Sequence, residues 1–280
     1  MVFDVHVHLF PPDVTRNIEK YTCRDPFLAE ICSSKGHKFA TVEDLLAEMD
    51  KCGVEKTAVS GFASSDPGLC REMNDYILEA ARAYPRRLIA MAVVSPLDRM
   101  MERELDRALK RGARGVGELF PWGQAFALEG DAAKRLAFYC QERNLPLLLH
   151  LNEKVGHHYA GKGDISIEEG AAFAAKFPSL PLIFAHWGGG LCFYELMPEL
   201  KKQLRNVYYD IAASPFLYSR NIYRVVREIG ILDKILLGSD YPLISPARYL
   251  RELDESGLAP NEISRIKGEN AARLFSLNDE

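Results

Sequence analysis

The sequence predicts an α/β fold: a single (β/α)8 TIM barrel spanning residues 1–280, with a long insertion after the first strand. Three observations predict it. Eight short apolar runs recur along the chain, each followed by a stretch whose apolar residues repeat with helical period. The runs are apolar on both faces, as parallel strands must be when helices cover the sheet. No Gly-x-Gly-x-x-Gly follows an early strand, which speaks against the open doubly wound sheet that the same alternation allows.

The first run is Met1-Val2-Phe3-Asp4-Val5-His6-Val7-His8. Simple alternation along a strand puts His6 and His8 on one side, with Val5 and Val7 on the other. Residues 9–40 show no clear period and carry Pro11-Pro12, Asp25-Pro26 and Ser33-Ser34. Short helices are expected over 14–20 and 27–32, and a connection of this length suits a lid over the barrel mouth. Thr41 is a good N-cap with Asp44 three residues on, and Val42, Leu45, Leu46 and Met49 form one stripe before Gly53 stops the helix.

The alternation then repeats. Strands are predicted over 56–62, 88–94, 114–119, 146–151, 181–186, 207–212 and 235–238. Helices are predicted over 69–83, 97–111, 131–144 and 167–176, within 193–204, around Ile222 to Ile229, over 246–255 and near 261–275. No internal repeat, low-complexity stretch or linker divides the chain.

At this length a chain buries about 75% of its unfolded surface, so the core needs no staples. Composition is ordinary, 48% hydrophobic and 26% charged, and the net charge of -4 gives no sign of a nucleic-acid or membrane partner. A small-molecule substrate is expected, with homo-oligomerisation left open. The six cysteines are scattered without a Cys-x-x-Cys, which fits reduced thiols and a cytoplasmic setting. A candidate ligand at position 6 leaves no room for a signal peptide, and no apolar run reaches membrane-span length.

In such barrels chemistry sits at the C-terminal ends of the strands. His6 and His8 end the first strand, Glu118 the fourth, His150 the fifth and His186 the sixth, while the eighth runs into Asp240. Four of the seven histidines therefore fall at strand ends. Each residue has a plain alternative: a hydrogen-bonding His150, an exposed Glu118, an Asp240 that only forms its turn. Their joint placement is what points to a metal site. Nitrogen and carboxylate donors of this mixture suit zinc, with manganese, iron or cobalt as alternatives and one or two ions. In the loop after the fifth strand, Lys154, His157, His158 and Lys162 are expected to bind an anionic group, and Glu153 to give a proton. A solvated loop is the competing reading. Trp187, next to His186, is expected either to wall the pocket or to pack in the core.

The set Asp4-Val5-His6-Val7-His8, His150, His186, Gly238-Ser239-Asp240-Tyr241-Pro242 and the closing Gly268-Glu269-Asn270-Ala271-Ala272-Arg273-Leu274-Phe275 resembles the metal-dependent amidohydrolase superfamily. Within it, the branch containing both amidohydrolases and decarboxylases is the most similar. The resemblance implies that His6, His8, Glu118, His150, His186 and Asp240 are metal ligands. Many members carry a carboxylated lysine where this chain has Glu118. The implied activity is a metal-dependent hydrolase using a metal-activated water on a small amide, cyclic amide, ester or lactone. Asp240 would be the base, with His186 or the metal polarising the scissile carbonyl. The alternative is a metal-dependent non-oxidative decarboxylase of an unsaturated or aromatic carboxylic acid. A zinc deaminase fits less well, because Asp240 has no second aspartate beside it. A non-enzymatic metal-binding barrel stays open as a second class.

Overall fold

The computed structural model describes residues 1–34 and 36–277. Eight strands, β1 (Phe3–His8), β2 (Lys56–Ser60), β3 (Leu88–Ala92), β4 (Gly115–Leu119), β5 (Leu147–Leu149), β6 (Leu182–Phe184), β7 (Val207–Asp210) and β8 (Ile235–Leu236), pair in sequence order. Every pairing is parallel. The chain beyond β8 completes the ring against β1: Val5 N donates to Leu237 O (2.9 Å), Asp240 N to His6 O (2.9 Å) and His8 N to Tyr241 O (2.8 Å). The sheet is thus a barrel with helices between the strands, as the apolar alternation implied. The regular strands stop short of the predicted C-terminal ends in six of eight cases, because the last residues turn outward to form the mouth.

Two apolar layers hold the barrel. Phe3, Val5, Ala58, Ile89, Met91, Leu148, Ile183 and Leu236 pack together as one cluster, apart from the larger layer between sheet and helices. Burying each such side chain contributes on the order of 1.5–3 kcal/mol. The helix Val42–Cys52 shows how sequence sets an element of the outer layer. Its Thr41 Oγ1 accepts from Asp44 N and the Asp44 carboxylate accepts from Thr41 N, satisfying two orphan donors. Val42, Leu45 and Met49 are buried, and Gly53 ends the helix at φ 72°.

Strand alternation fails at two places. Between Asp4 and Val7 the register of β1 against β2 carries one extra residue, since three steps on β1 span two on β2. Consequently Val5 belongs to one apolar cluster and Val7 to the other, and they do not share a face as simple alternation required. β4 has the same irregularity between Val116 and Leu119, against Leu147 and Leu149. Gly117 lies inside it at φ 117°, where a Cβ would meet the Leu148 carbonyl oxygen at 2.2 Å. A bulge re-aims the side chains beside it, and both bulges sit next to the candidate ligands His6 and Glu118.

In the insertion, the single helix expected over 14–20 is two, Pro12–Arg16 and Ile18–Thr22, broken at Asn17 with φ −130°. A third, Pro26–Ser33, is capped by Asp25. Asp25 is fully buried; one oxygen accepts from Leu28 N (2.7 Å), the other from Ser64 Oγ (2.6 Å), Ser65 N (2.9 Å) and Ser65 Oγ (2.9 Å). The cap therefore also ties the insertion to the loop after β2. Towards the C-terminus, the helix predicted near 261–275 is Pro260–Ser264 and Asn270–Leu274 joined by a wider turn over Arg265–Glu269. All six cysteines are free thiols. Among the described residues no helix is long and apolar enough to cross a membrane.

Candidate metal centre

β1 delivers His6 and His8 with their Nε2 atoms 3.0 Å apart. Two ring nitrogens at that separation share either a proton or a cation. The far sides of the rings are held. His6 Nδ1 donates to the Asp210 carboxylate (2.8 Å), and His8 Nδ1 lies 3.3 Å from Ser60 Oγ. A donor bond at Nδ1 leaves the His6 Nε2 lone pair facing inward.

Glu118, from the bulge in β4, stands between two sets of nitrogens. Its Oε2 is 3.3 Å from His6 Nε2 and 3.2 Å from His8 Nε2. Its Oε1 is 3.1 Å from His150 Nδ1 and 3.7 Å from His186 Nε2. Asp240 Oδ1 lies 3.7 Å from His6 Nε2 and 3.5 Å from His8 Nε2. The donors fall into two compact groups, His6 with His8 and Asp240, and Glu118 with His150 and His186, each within 4.8 Å. All six strand-end residues named from the sequence come together.

Electrostatics follow from this crowding. Burial pushes the Glu118 carboxyl up, but the charge of His6 and the contacts of His150 and His186 outweigh it and hold it well below the usual carboxylate range. Burial opposes charge on His6, yet Glu118 and Asp210 raise it well above an ordinary imidazole. His186, also buried, is raised to about 9, chiefly by Glu118. Glu118 thus calls for positive charge in a desolvated place. His150 Nε2 and His186 Nδ1 are buried without a hydrogen-bond partner. Orphaned imidazole nitrogens beside a carboxylate that demands a cation fit a divalent metal.

Backbone conformation is unusual here as well. Asp240, His186 and Trp187 have φ of 56°, 56° and 60°. Non-glycine residues in this region cost of order 1–3 kcal/mol each and persist only where surroundings impose them. Asp210 is one such imposition, since its Oδ1 accepts from His186 N (2.9 Å) and Ala212 N (3.0 Å). Asp4 is another: its Oδ1 accepts from Ser239 N (2.9 Å), which fixes the turn carrying Asp240. Burial raises the Asp4 carboxyl to about 6 against these hydrogen bonds.

A cavity of about 170 Å³ opens beside the donors. His8, Glu118, His150, His186 and Asp240 line one side, and Phe10, Phe62, Phe120, Ile31 and Leu243 give it apolar walls. Phe120 stacks on Phe62 with centroids 5.3 Å apart. Ile31, Ser34, Gly36, His37 and Lys38 bring the insertion to the same cavity.

Several residues expected to meet substrate lie elsewhere. Trp187 is fully buried, donates from Nε1 to Ser214 Oγ and packs 5.7 Å from Tyr223, so it is core and not pocket wall. Lys162 is consumed within its own loop, donating to Val155 O (2.7 Å) and His157 O (3.1 Å) and pairing with Glu153 (3.4 Å). His157, His158 and Lys154 are exposed. Glu153 accepts from Tyr159 OH at 3.2 Å. None of these lines the cavity; the loop reaches it through Tyr159, Ala160 and Gly161. The residue missed was Asp210. It ends β7, so the strand-end reasoning that found the other carboxylates would have found it.

A parallel barrel with histidines and carboxylates gathered at the C-terminal strand ends defines the class of metal-site (β/α)8 proteins. The Amidohydrolase family model matches residues 3–277, and the chain belongs to that family. Solved structures share the fold. 5-Carboxyvanillate decarboxylase from Sphingomonas paucimobilis is 17% identical with a TM-score of 0.77, covering 98% of this chain and 98% of that one. Dihydroxybenzoic acid decarboxylase from Polaromonas sp., with bound manganese and the inhibitor 2-nitroresorcinol, is 18% identical with a TM-score of 0.74, covering 99% and 98%. A protein from Acinetobacter baumannii assigned as a 2-pyrone-4,6-dicarboxylic acid hydrolase, with citric acid bound, is 17% identical with a TM-score of 0.67, covering 98% and 99%. Among curated proteins none matches the chain.

Proposed function

We propose that the chain is a metal-dependent hydrolase of a small amide, cyclic amide, ester or lactone. The observation that carries this reading is Glu118, whose two oxygens each face a different histidine pair. Such a carboxylate suits two adjacent dications, whose mutual repulsion needs a shared negative group in a partly dry site. The ligands would be His6, His8, Glu118, His150, His186 and Asp240, with zinc first and manganese, iron or cobalt as alternatives. When bound, the ions would supply Lewis acidity and lower the pKa of a bound water toward about 7, so that hydroxide is available at neutral pH.

The chain's own groups do the rest. Asp240 lines the cavity and takes the proton of the attacking water, then returns it to the leaving group. His186, as a ligand, would stay a neutral imidazole, and with Glu118 3.7 Å from its Nε2 it would help to fix where the polarised carbonyl sits. Asp210 keeps His6 in one tautomer, and Phe10, Phe62 and Phe120 exclude bulk water around a substrate of one-ring size. Free thiols fit a cytoplasmic setting.

The aromatic walls favour a second reading, non-oxidative decarboxylation of an unsaturated or aromatic acid. An apolar surround destabilises a carboxylate relative to the neutral product it would leave. The two separate in one assay. Metal-loaded protein is tested for acid release from aryl esters, lactones and cyclic amides, and for CO2 release from 2,6-dihydroxybenzoate and 5-carboxyvanillate. Chelator-sensitive hydrolysis that disappears in Asp240→Asn supports the first reading; CO2 release without hydrolysis overturns it.

A further inference from the structure

His37 belongs to the insertion, far in sequence from any strand end, yet it lines the same cavity as His8 and Asp240. Its ring is wedged edge-on between two others, 5.9 Å from Phe10 at 84° and 4.4 Å from Phe39 at 82°. The orientation is therefore set by packing, which a solvated loop histidine lacks. Its Nε2 lies 3.7 Å from Cys32 Sγ. Burial pushes the Cys32 thiol up to about 11, so the sulfur keeps its proton and can donate it. Assigning the thiol as the donor places the ring proton on Nδ1, for which no hydrogen bond to another described residue is found. Burial, with His8 nearby, also lowers His37, against the pull of Asp240. Lys38 beside it is engaged with the Leu243 carbonyl at 3.2 Å.

We infer that His37 is a specificity-determining residue: a fixed hydrogen-bond donor on the insertion side of the cavity, reading a hydrogen-bond-accepting oxygen of the substrate. The other surfaces of the cavity away from the donor groups are largely aromatic and aliphatic. A ligand lacking the acceptor leaves the His37 N–H unpaired, and such mismatches discriminate strongly. This rests on the cavity being the substrate pocket of the proposed enzyme, whichever of the two reactions it runs.

The test compares ligand pairs of equal shape, 3-methoxybenzoate with 3-ethylbenzoate and 4-methoxybenzoate with 4-ethylbenzoate. Dissociation constants are measured on manganese-loaded wild type, His37→Phe and His37→Gln, with metal content and circular dichroism recorded for each. The expected result is a roughly tenfold preference for a methoxy ligand in wild type. It should vanish in His37→Phe, with ethylbenzoate binding unchanged, and return in part in His37→Gln, which restores a donor. No preference in wild type, including failure of all four to bind, overturns the inference, and so does a preference that survives in His37→Phe. Failure of the enzymatic reading shows separately, as absence of any metal-dependent turnover in the ester, lactone and carboxylate assay.

Discussion

At the scale of single residues, the two histidines of β1 have their outer ring nitrogens already engaged. His6 donates from Nδ1 to Asp210, and Asp210 also holds His186 N. The expected consequence is that Asp210→Asn weakens metal binding by about 10–100-fold while the ligands themselves are intact, measurable by competition with a chromogenic chelator. His6→Ala or His8→Ala should abolish turnover yet retain the native circular dichroism, because these rings lie among the donor groups and not in the apolar layers. Full turnover by either variant at limiting metal would contradict the assignment. Asp240→Asn keeps shape and loses the proton acceptor, so kcat should fall by about 10²–10⁴-fold or more; a rate within tenfold of wild type would mean another group is the base.

Residue type and place explain what could be read from the chain in advance. Histidines and acids at the ends of apolar runs are legible because both signals are local. Trp187 misled for the same reason: it adjoins His186 in sequence, but left-handed backbone at both residues sends its ring into the core beneath Ser214 and Tyr223. His37 had no strand to mark it, and its importance appears only where the insertion meets the barrel mouth.

At the scale of elements, strand positions and helix stripes were largely legible, since period and capping residues decide them. The bulges in β1 and β4 were not, because each is defined by the partner strand. They matter because they stand where His6 and Glu118 leave the regular sheet. Gly117 is the sequence trace of one of them. Gly117→Ala would force a side chain into a positive-φ residue against the Leu148 carbonyl, at a cost on the order of 1–3 kcal/mol from backbone strain alone. The expected outcome is a lower midpoint in urea together with weakened metal binding through displaced Glu118. Unchanged metal affinity would show that Glu118 is placed independently of the bulge. The insertion behaves as a fixed wall anchored by Asp25, which is why its helices pack Phe27 against Phe62 (5.5 Å) and Phe120 (5.1 Å).

At the scale of the molecule, eight strands bring six residues spread from position 6 to position 240 into one mouth, with an apolar cavity beside them. The barrel makes the convergence, and Glu118 decides its chemistry. One carboxylate facing both histidine pairs is the arrangement two ions need, and the hydrolytic reading depends on it. The most direct measurement is metal per chain in wild type and in Glu118→Ala after loading with excess zinc or manganese and removal of free ion. The account predicts two ions in wild type, falling to one or none in the variant. A single ion in both proteins would contradict it and shift the reading to decarboxylation at a one-metal site.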